Sequence, residues 1–243
     1  MDNKQKQALL WFLWGMALLL ALLAAFVPPK EAAVAVSAPQ SQGGYVALTF
    51  DDGPWPGTTD ALLEGLAQRG VKATFFLIGS QVEAQADTVL AMAEAGHQIG
   101  IHTWDHVQLD GLSQWETQDQ LDRCRKVLTD LLGPVDFMVR PPYGFVDENL
   151  TRWAGAPIIC WDVDTLDWQD KTPSRIRNTV LDQTRDGSII LMHDIFPTSV
   201  EAALLCVDAL MAEGFRFVTL EELFFLRGVT PENGQVYLSL YPD

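Results

Sequence analysis

A chain of 243 residues can hold one large domain or two small ones, and its 48% apolar residues can fill a sizeable core. Its 16 lysines and arginines against 32 aspartates and glutamates give a net charge of −16. That balance argues against nucleic acid or anionic lipid as partner, because phosphate recognition rests on basic side chains. Cys124, Cys160 and Cys206 are odd in number, far apart and set in apolar surroundings, so they read as buried thiols rather than a disulfide framework.

Residues 1–7 carry Lys4 and Lys6 and precede Ala8 to Val27, an uncharged apolar run. As a helix the run is about 30 Å long and matches a bilayer core. The basic flank puts residues 1–7 in the cytoplasm and the rest of the chain outside. The length of the run favours a retained transmembrane signal-anchor over a cleaved signal peptide, for which Ala33-Val34-Ala35 or Val36-Ser37-Ala38 could serve as processing site. In the first case the protein is a single-pass cell-membrane protein, in the second a secreted one. Residues 28–44 have the composition of a linker, 45–228 hold the domain, and the tail 229–243 has short strand character and suggests no function.

Within the domain, short apolar runs alternate with amphipathic stretches. The runs are Tyr45–Phe50, Ala73–Ile78, Gln98–Ile101, Phe137–Arg140, Pro157–Trp161, Ser188–Met192 and Phe215–Thr219. Ser113-x-x-Glu116 and Thr219-x-x-Glu222 read as capping boxes, Thr172-Pro173 as N-cap and N1, and Gly70, Gly96, Gly133 and Gly214 as helix ends. Strand–helix alternation predicts parallel pairing, and seven strand candidates predict an incomplete α/β barrel. Asp51, Asp52, His102, Arg140, Asp162, Asp164 and His193 fall at or just after the C-terminal ends of these strands, the face where such barrels gather their active sites.

The chemistry follows from the residue types. Asp52 or Asp51 with His102 and His106 can supply three metal ligands, leaving one carboxylate free as a general base. Asp51-Asp52-Gly53-Pro54 could equally be a surface turn. The i, i+4 spacing of His102 and His106 places both imidazoles on one side of a helical turn. Arg140 in Arg140-Pro141-Pro142-Tyr143-Gly144 can pair with a carboxylate. Asp164-Thr165-Leu166-Asp167-Trp168 can combine a buried carboxylate with an aromatic wall, and His193 can act as a general acid. His97, at the start of its strand, reads as structural.

Taken in this order, TFDDGP, HTWDH, RPPYG, DTLDW and LMH resemble the five motifs of the polysaccharide deacetylases with a NodB homology domain, carbohydrate esterase family 4. The resemblance spans about residues 44–228 and implies a distorted (β/α)7 barrel. It implies Asp51 as general base, and Asp52, His102 and His106 as ligands to zinc, or to cobalt or another divalent ion. It further implies Arg140 orienting Asp51, the backbone N–H of Tyr143 as oxyanion donor, Trp168 and Leu191 around the acetyl methyl, and Asp167 holding His193 protonated as general acid. With a membrane anchor, the expected substrate is an envelope polysaccharide, above all peptidoglycan N-acetylglucosamine. Chitin oligomers, exopolysaccharide and acetylxylan are alternatives. A non-catalytic carbohydrate-binding protein and a cyclic-amide hydrolase are readings of another class. No protein partner is predicted.

Overall fold

A computed structural model describes residues 43–242. The expected anchor 8–27, the segment 1–7 and the linker up to residue 42 lie outside the described residues. Among the described residues no helix is long and apolar enough to cross a membrane.

The fold is α/β with a parallel sheet built around β1 (Tyr45–Asp51), buried at every position but its first. A parallel strand covered on both faces needs a nearly continuous apolar run, and YVALTF is one. It lies between β2 (Thr74–Leu77) and β6 (Ile189–His193), and its first residues also pair with β7 (Arg216–Phe217). The sheet order is β3-β2-β1-β6-β5, where β3 is Gln98–Ile101 and β5 is Val163–Asp164. Single bridges from Ile101 to Val139 and from Val139 to Ile158 carry the parallel pairing on to β4 (Ile158–Ile159). Cys160 to Asp162 connect β4 to β5 along the chain.

The helices are α1 (Thr58–Arg69), α2 (Gly79–Val82), α3 (Ala86–Glu94), α4 (Gln114–Leu132), α5 (Glu148–Trp153), α6 (Pro173–Gln183), α7 (Pro197–Ala212) and α8 (Leu220–Arg227). Both capping boxes form: Ser113 opens α4 with Glu116, and Thr219 opens α8 with Glu222. Thr172 precedes Pro173 at the start of α6, although its side chain makes no capping bond.

Two strand expectations need correction. Phe137–Arg140 is reduced to the bridges at Val139, and Pro157–Trp161 stops as a strand after Ile159. The ladder bond from Val139 N to Pro157 O would be followed by one from residue 141 to Ile159 O, but Pro141 has no N–H, so the pairing stops. Arg140 Nε and Nη2 donate instead to Ile159 O (3.1 Å) and Cys160 O (3.0 Å). Asp162 was expected on the active face, but it sits at the start of β6, opposite His193. Its carboxylate accepts from Ser188 Oγ (2.8 Å), Ile189 N (2.6 Å) and Tyr241 Oη (2.7 Å), a structural role.

Strand alternation sorts the side chains. Val46, Leu48 and Phe50 join a large cluster under the helices, whereas Ala47 belongs to a smaller cluster with Phe76, Met138, Ile159, Ile189, Phe224 and Leu240. Thr49 and Asp51 share the Ala47 face. The tail takes part in this smaller core. Its strand β8 (Val236–Tyr237) pairs with β4, Ser239 bridges Ser188, and Leu240 is buried. Leu240→Ala should therefore cost about 2–5 kcal/mol, as other buried leucines do. Urea unfolding with an unchanged m-value would read it, and a loss below about 0.5 kcal/mol, the range of surface substitutions, would show that the tail merely rests on the domain.

Candidate active site

The inward row on β1 ends in Asp51, and the strand register sets it beside His193 of β6. Asp51 is buried and ion-paired: Arg140 Nη1 donates to Asp51 Oδ1 at 2.8 Å and to Thr49 Oγ1 at 2.7 Å. Arg140 is itself fully buried, with its guanidinium 4.2 Å above the Phe76 ring. Each of its three guanidinium nitrogens has an oxygen acceptor, which a buried cation requires. The other oxygen, Asp51 Oδ2, lies 3.7 Å from His102 Nε2.

One residue on, β1 ends and the backbone of Asp52 turns to φ 74°, sending its carboxylate a different way. Asp52 Oδ1 stands 3.1 Å from His106 Nε2 and 3.4 Å from His102 Nε2, and the three donor atoms lie within 4.8 Å of one another. The two histidines do not reach this arrangement through a helical turn. They flank an irregular loop in which Thr103 and His106 have φ of 66° and 56°. The carbonyls of Thr103 and Trp104 accept from Gly79 N and Ser80 N instead of closing a helix.

This donor set fits a divalent cation. His102 Nδ1 is 2.7 Å from Arg140 O, a carbonyl that can only accept, so Nδ1 carries the hydrogen and the neutral ring turns the Nε2 lone pair toward Asp52. Asp52 Oδ1 is buried and accepts no hydrogen bond. Two acceptors facing each other at this distance are what a shared cation relieves, and the carbonyl behind His102 is the usual outer support of a metal-binding imidazole. Without a cation, burial disfavours charge on His102, but Asp51 and Asp52 outweigh it and push its pKa up. Burial likewise works against the Asp52 carboxylate, yet the two imidazoles hold it well below the usual range.

Across from this set, His193 Nδ1 donates to Asp167 Oδ1 at 2.8 Å, and His193 N donates to Asp167 Oδ2 at 2.9 Å. Asp167 is fully buried, held also by Thr165 Oγ1 at 3.2 Å. Tyr143 adopts a left-handed backbone (φ 63°) and packs its ring edge-on against His106 with centroids 5.0 Å apart. Leu191 is buried in β6, while Trp168 is exposed in the loop after β5. Cys124, Cys160 and Cys206 are buried free thiols, and His97 is a structural residue whose Nδ1 accepts from Ala73 N at 3.0 Å.

Residues 38–156 match the family model described as polysaccharide deacetylase. A peptidoglycan-N-acetylglucosamine deacetylase of Bacillus cereus is 39% identical over 202 residues, which is 80% of this chain and 73% of that protein. The chain belongs to the polysaccharide deacetylase family. The peptidoglycan-N-acetylglucosamine deacetylase PgdA of Listeria monocytogenes is 40% identical over 179 residues, 74% of this chain, but the chain spans only 38% of that relative's length. Among solved structures, a family 4 acetyl xylan esterase from Clostridium thermocellum in complex with cobalt superposes with a TM-score of 0.77 at 31% identity, covering 81% of this chain and 98% of that one.

In this family member the sequence gives no hint of a role for Asp194. It is fully buried, and its Oδ2 accepts from Thr59 Oγ1 at 2.5 Å, while Thr59 Oγ1 accepts from Trp55 N at 2.8 Å. A Cβ on Gly53 would lie 2.5 Å from the same carboxylate, so only glycine fits there. Burial without a cationic partner pushes the Asp194 carboxyl up to about 7, and it stays neutral in weak acid. Asp194 thereby ties the turn that carries Asp51 and Asp52 to α1. Its burial, which a sequence does not display, is the only sign of this.

Proposed function

We propose that the chain is a metal-dependent polysaccharide N-deacetylase that removes acetyl groups from an envelope glycan, peptidoglycan N-acetylglucosamine above all, and releases acetate. The reading rests on one observation: Asp51, paired in register with His193, lies 3.7 Å from His102 of the Asp52, His102 and His106 donor set. Those three residues would hold zinc, or cobalt or another divalent ion. The ion supplies the positive charge that acidifies a water and polarises the acetyl carbonyl.

The chain's own residues then divide the proton traffic. Asp51, aimed by Arg140, takes a proton as the water oxygen bonds to the acetyl carbon. The Tyr143 N–H donates to the developing oxyanion, an effect of about 3–4 kcal/mol per donor in comparable sites. His193, kept protonated by Asp167, gives its proton to the departing nitrogen as the C–N bond breaks, leaving acetate and a free amine. Trp168 and Leu191 flank the acetyl methyl. The scaffold is read as a distorted (β/α)7 barrel. The apolar run 8–27 supports a membrane-anchored domain outside the cell. The names of the Bacillus and Listeria relatives support peptidoglycan as the glycan.

The test is acetate release by zinc-loaded protein offered peptidoglycan, chitin oligomers and acetylxylan side by side. Peptidoglycan should give acetate, and Asp51→Asn should lower turnover about 10²–10⁴-fold, the usual worth of a general base, while zinc stays bound. Unchanged turnover in that variant would remove Asp51 as base. Zinc bound with no acetate from any glycan would favour a carbohydrate-binding protein without activity.

A further inference from the structure

The two histidines of the donor set are separated by a loop that is neither helix nor strand. Thr103 and His106 both occupy the left-handed region without being glycine, which costs of order 1 kcal/mol or more at each. Between them, the peptide groups of Trp104 and Asp105 are turned away from any helix or strand. Their carbonyl side is supplied by α2, since Gly79 N donates to Thr103 O at 2.9 Å and Ser80 N to Trp104 O at 3.0 Å. Gly79 must be small for this contact, because a Cβ there would lie 2.7 Å from the Trp104 ring.

The amide side is supplied by a single atom. Gln120 Oε1, reaching back from the second turn of α4, accepts from Trp104 N at 3.0 Å and from Asp105 N at 2.9 Å. The helix is fixed in turn by the Ser113 cap, and Arg123 on its next turn lies 4.3 Å over the Trp104 ring. The loop is therefore clamped from both sides, and only Gln120 satisfies its two inner amides.

We infer that Gln120 is a positioning residue for the metal centre: its side-chain carbonyl sets the His102 and His106 imidazoles at the separation that a cation shared with Asp52 needs. The inference rests on the reading of those three residues as metal ligands. Losing the carbonyl would leave two amides unpaired and free the loop to relax toward ordinary backbone angles. The imidazoles would then swing apart, and zinc affinity would fall. Outer residues that support metal ligands typically contribute 10–100-fold to affinity.

The experiment is a zinc-binding isotherm on the full chain, read by competition with a chelating dye, for wild type, Gln120→Leu and Gln120→Glu, with a thermal melt of each metal-free protein. Gln120→Leu keeps the size of the side chain but has no acceptor, and should bind zinc about 10–100-fold more weakly. Gln120→Glu keeps the acceptor but turns the Nε2 donor facing Asp105 Oδ2 at 3.5 Å into a carboxylate oxygen. Arg123 Nη1, 4.0 Å from Asp105 Oδ2, and added salt offset that repulsion, so this variant should lose clearly less zinc affinity than Gln120→Leu. A purely structural role predicts the opposite pattern, a lower melting temperature in Gln120→Leu with unchanged zinc affinity of the folded protein, and that result overturns the inference. Equal losses in both variants also overturn it. A wild type that binds no zinc overturns the metal site and the role of Gln120 with it. Wild-type binding matched by Gln120→Leu overturns the role of Gln120 alone.

Discussion

Arg140→Met is expected to remove about 3–5 kcal/mol of folding stability, the typical cost of breaking a buried ion pair from one side. The variant strands Asp51, which is 3% exposed, and leaves it only the imidazolium charges of His102 and His193 nearby in the metal-free protein. It also strips the hydrogen bonds from Ile159 O and Cys160 O, which no strand partner replaces. Turnover should fall at least about a hundredfold, since a catalytic group displaced by an ångström commonly loses that much. Urea unfolding and acetate release on the same preparation read the two effects.

A second substitution separates charge from shape. In the Arg140→Met background, Asp51→Asn removes the unpaired carboxylate and should recover part of the lost stability while leaving the protein inactive. Asp51→Asn by itself should be mild, because Arg140 keeps Thr49 Oγ1 and two carbonyls as acceptors. A double variant no more stable than Arg140→Met would mean that the carbonyl contacts, not the buried charge, dominate. Wild-type turnover in Arg140→Met would remove the ion pair from the mechanism.

How much of this was legible beforehand depended on the kind of signal. β1 and β6 are short continuous apolar runs that end in Asp51 and His193, and their length and turn-rich flanks favour a buried strand over a helix. Their register, and so the pairing of those two residues, follows once the runs are aligned. The segment before Arg140 has the same apolar look, but Pro141 and Pro142 follow it without an N–H to continue the ladder, a limit the sequence does display. That the Arg140 guanidinium then fills the open carbonyls of Ile159 and Cys160 is a tertiary fact. Asp162 shows the converse. A carboxylate after an apolar run reads the same whether the chain continues to the active face or kinks back, and here the kink between β4 and β5 puts it at the other end of β6. The HxxxH spacing singled out a pair that the fold does bring together beside Asp52, but not through a helical turn, since the loop between them is irregular. Gln120 and Asp194 act through contacts with segments 15 and 135 residues away, which no local pattern encodes.

The pH profile carries the other large effect. Burial disfavours a charged imidazole at His193, but the bond to Asp167 outweighs it and raises the pKa to about 9, while the same bond pushes the Asp167 carboxyl down. An acid role needs the protonated ring, so activity should be sustained through neutrality and lost as the pH rises toward 9. A cation on Asp52 pulls His193 the other way, so variants are to be compared at equal metal load. Asp167→Asn keeps an oxygen for Nδ1 but removes the charge, and burial then lowers the pKa. If it returns only to the ordinary 6.5, the protonated fraction at pH 8 drops about thirtyfold, against almost no change at pH 5.5. The alkaline limb should therefore move to lower pH, and His193→Ala should lose activity across the whole range. Folding stability carries the same sign. A raised histidine pKa stabilises the native state fully below about 6.5 and loses that contribution as the pH rises through 9. Urea unfolding of wild type at pH 6 and pH 9 should show the decline, and Asp167→Asn should flatten it. An alkaline limb that stays in place in Asp167→Asn would mean that the proton for the leaving amine comes from elsewhere.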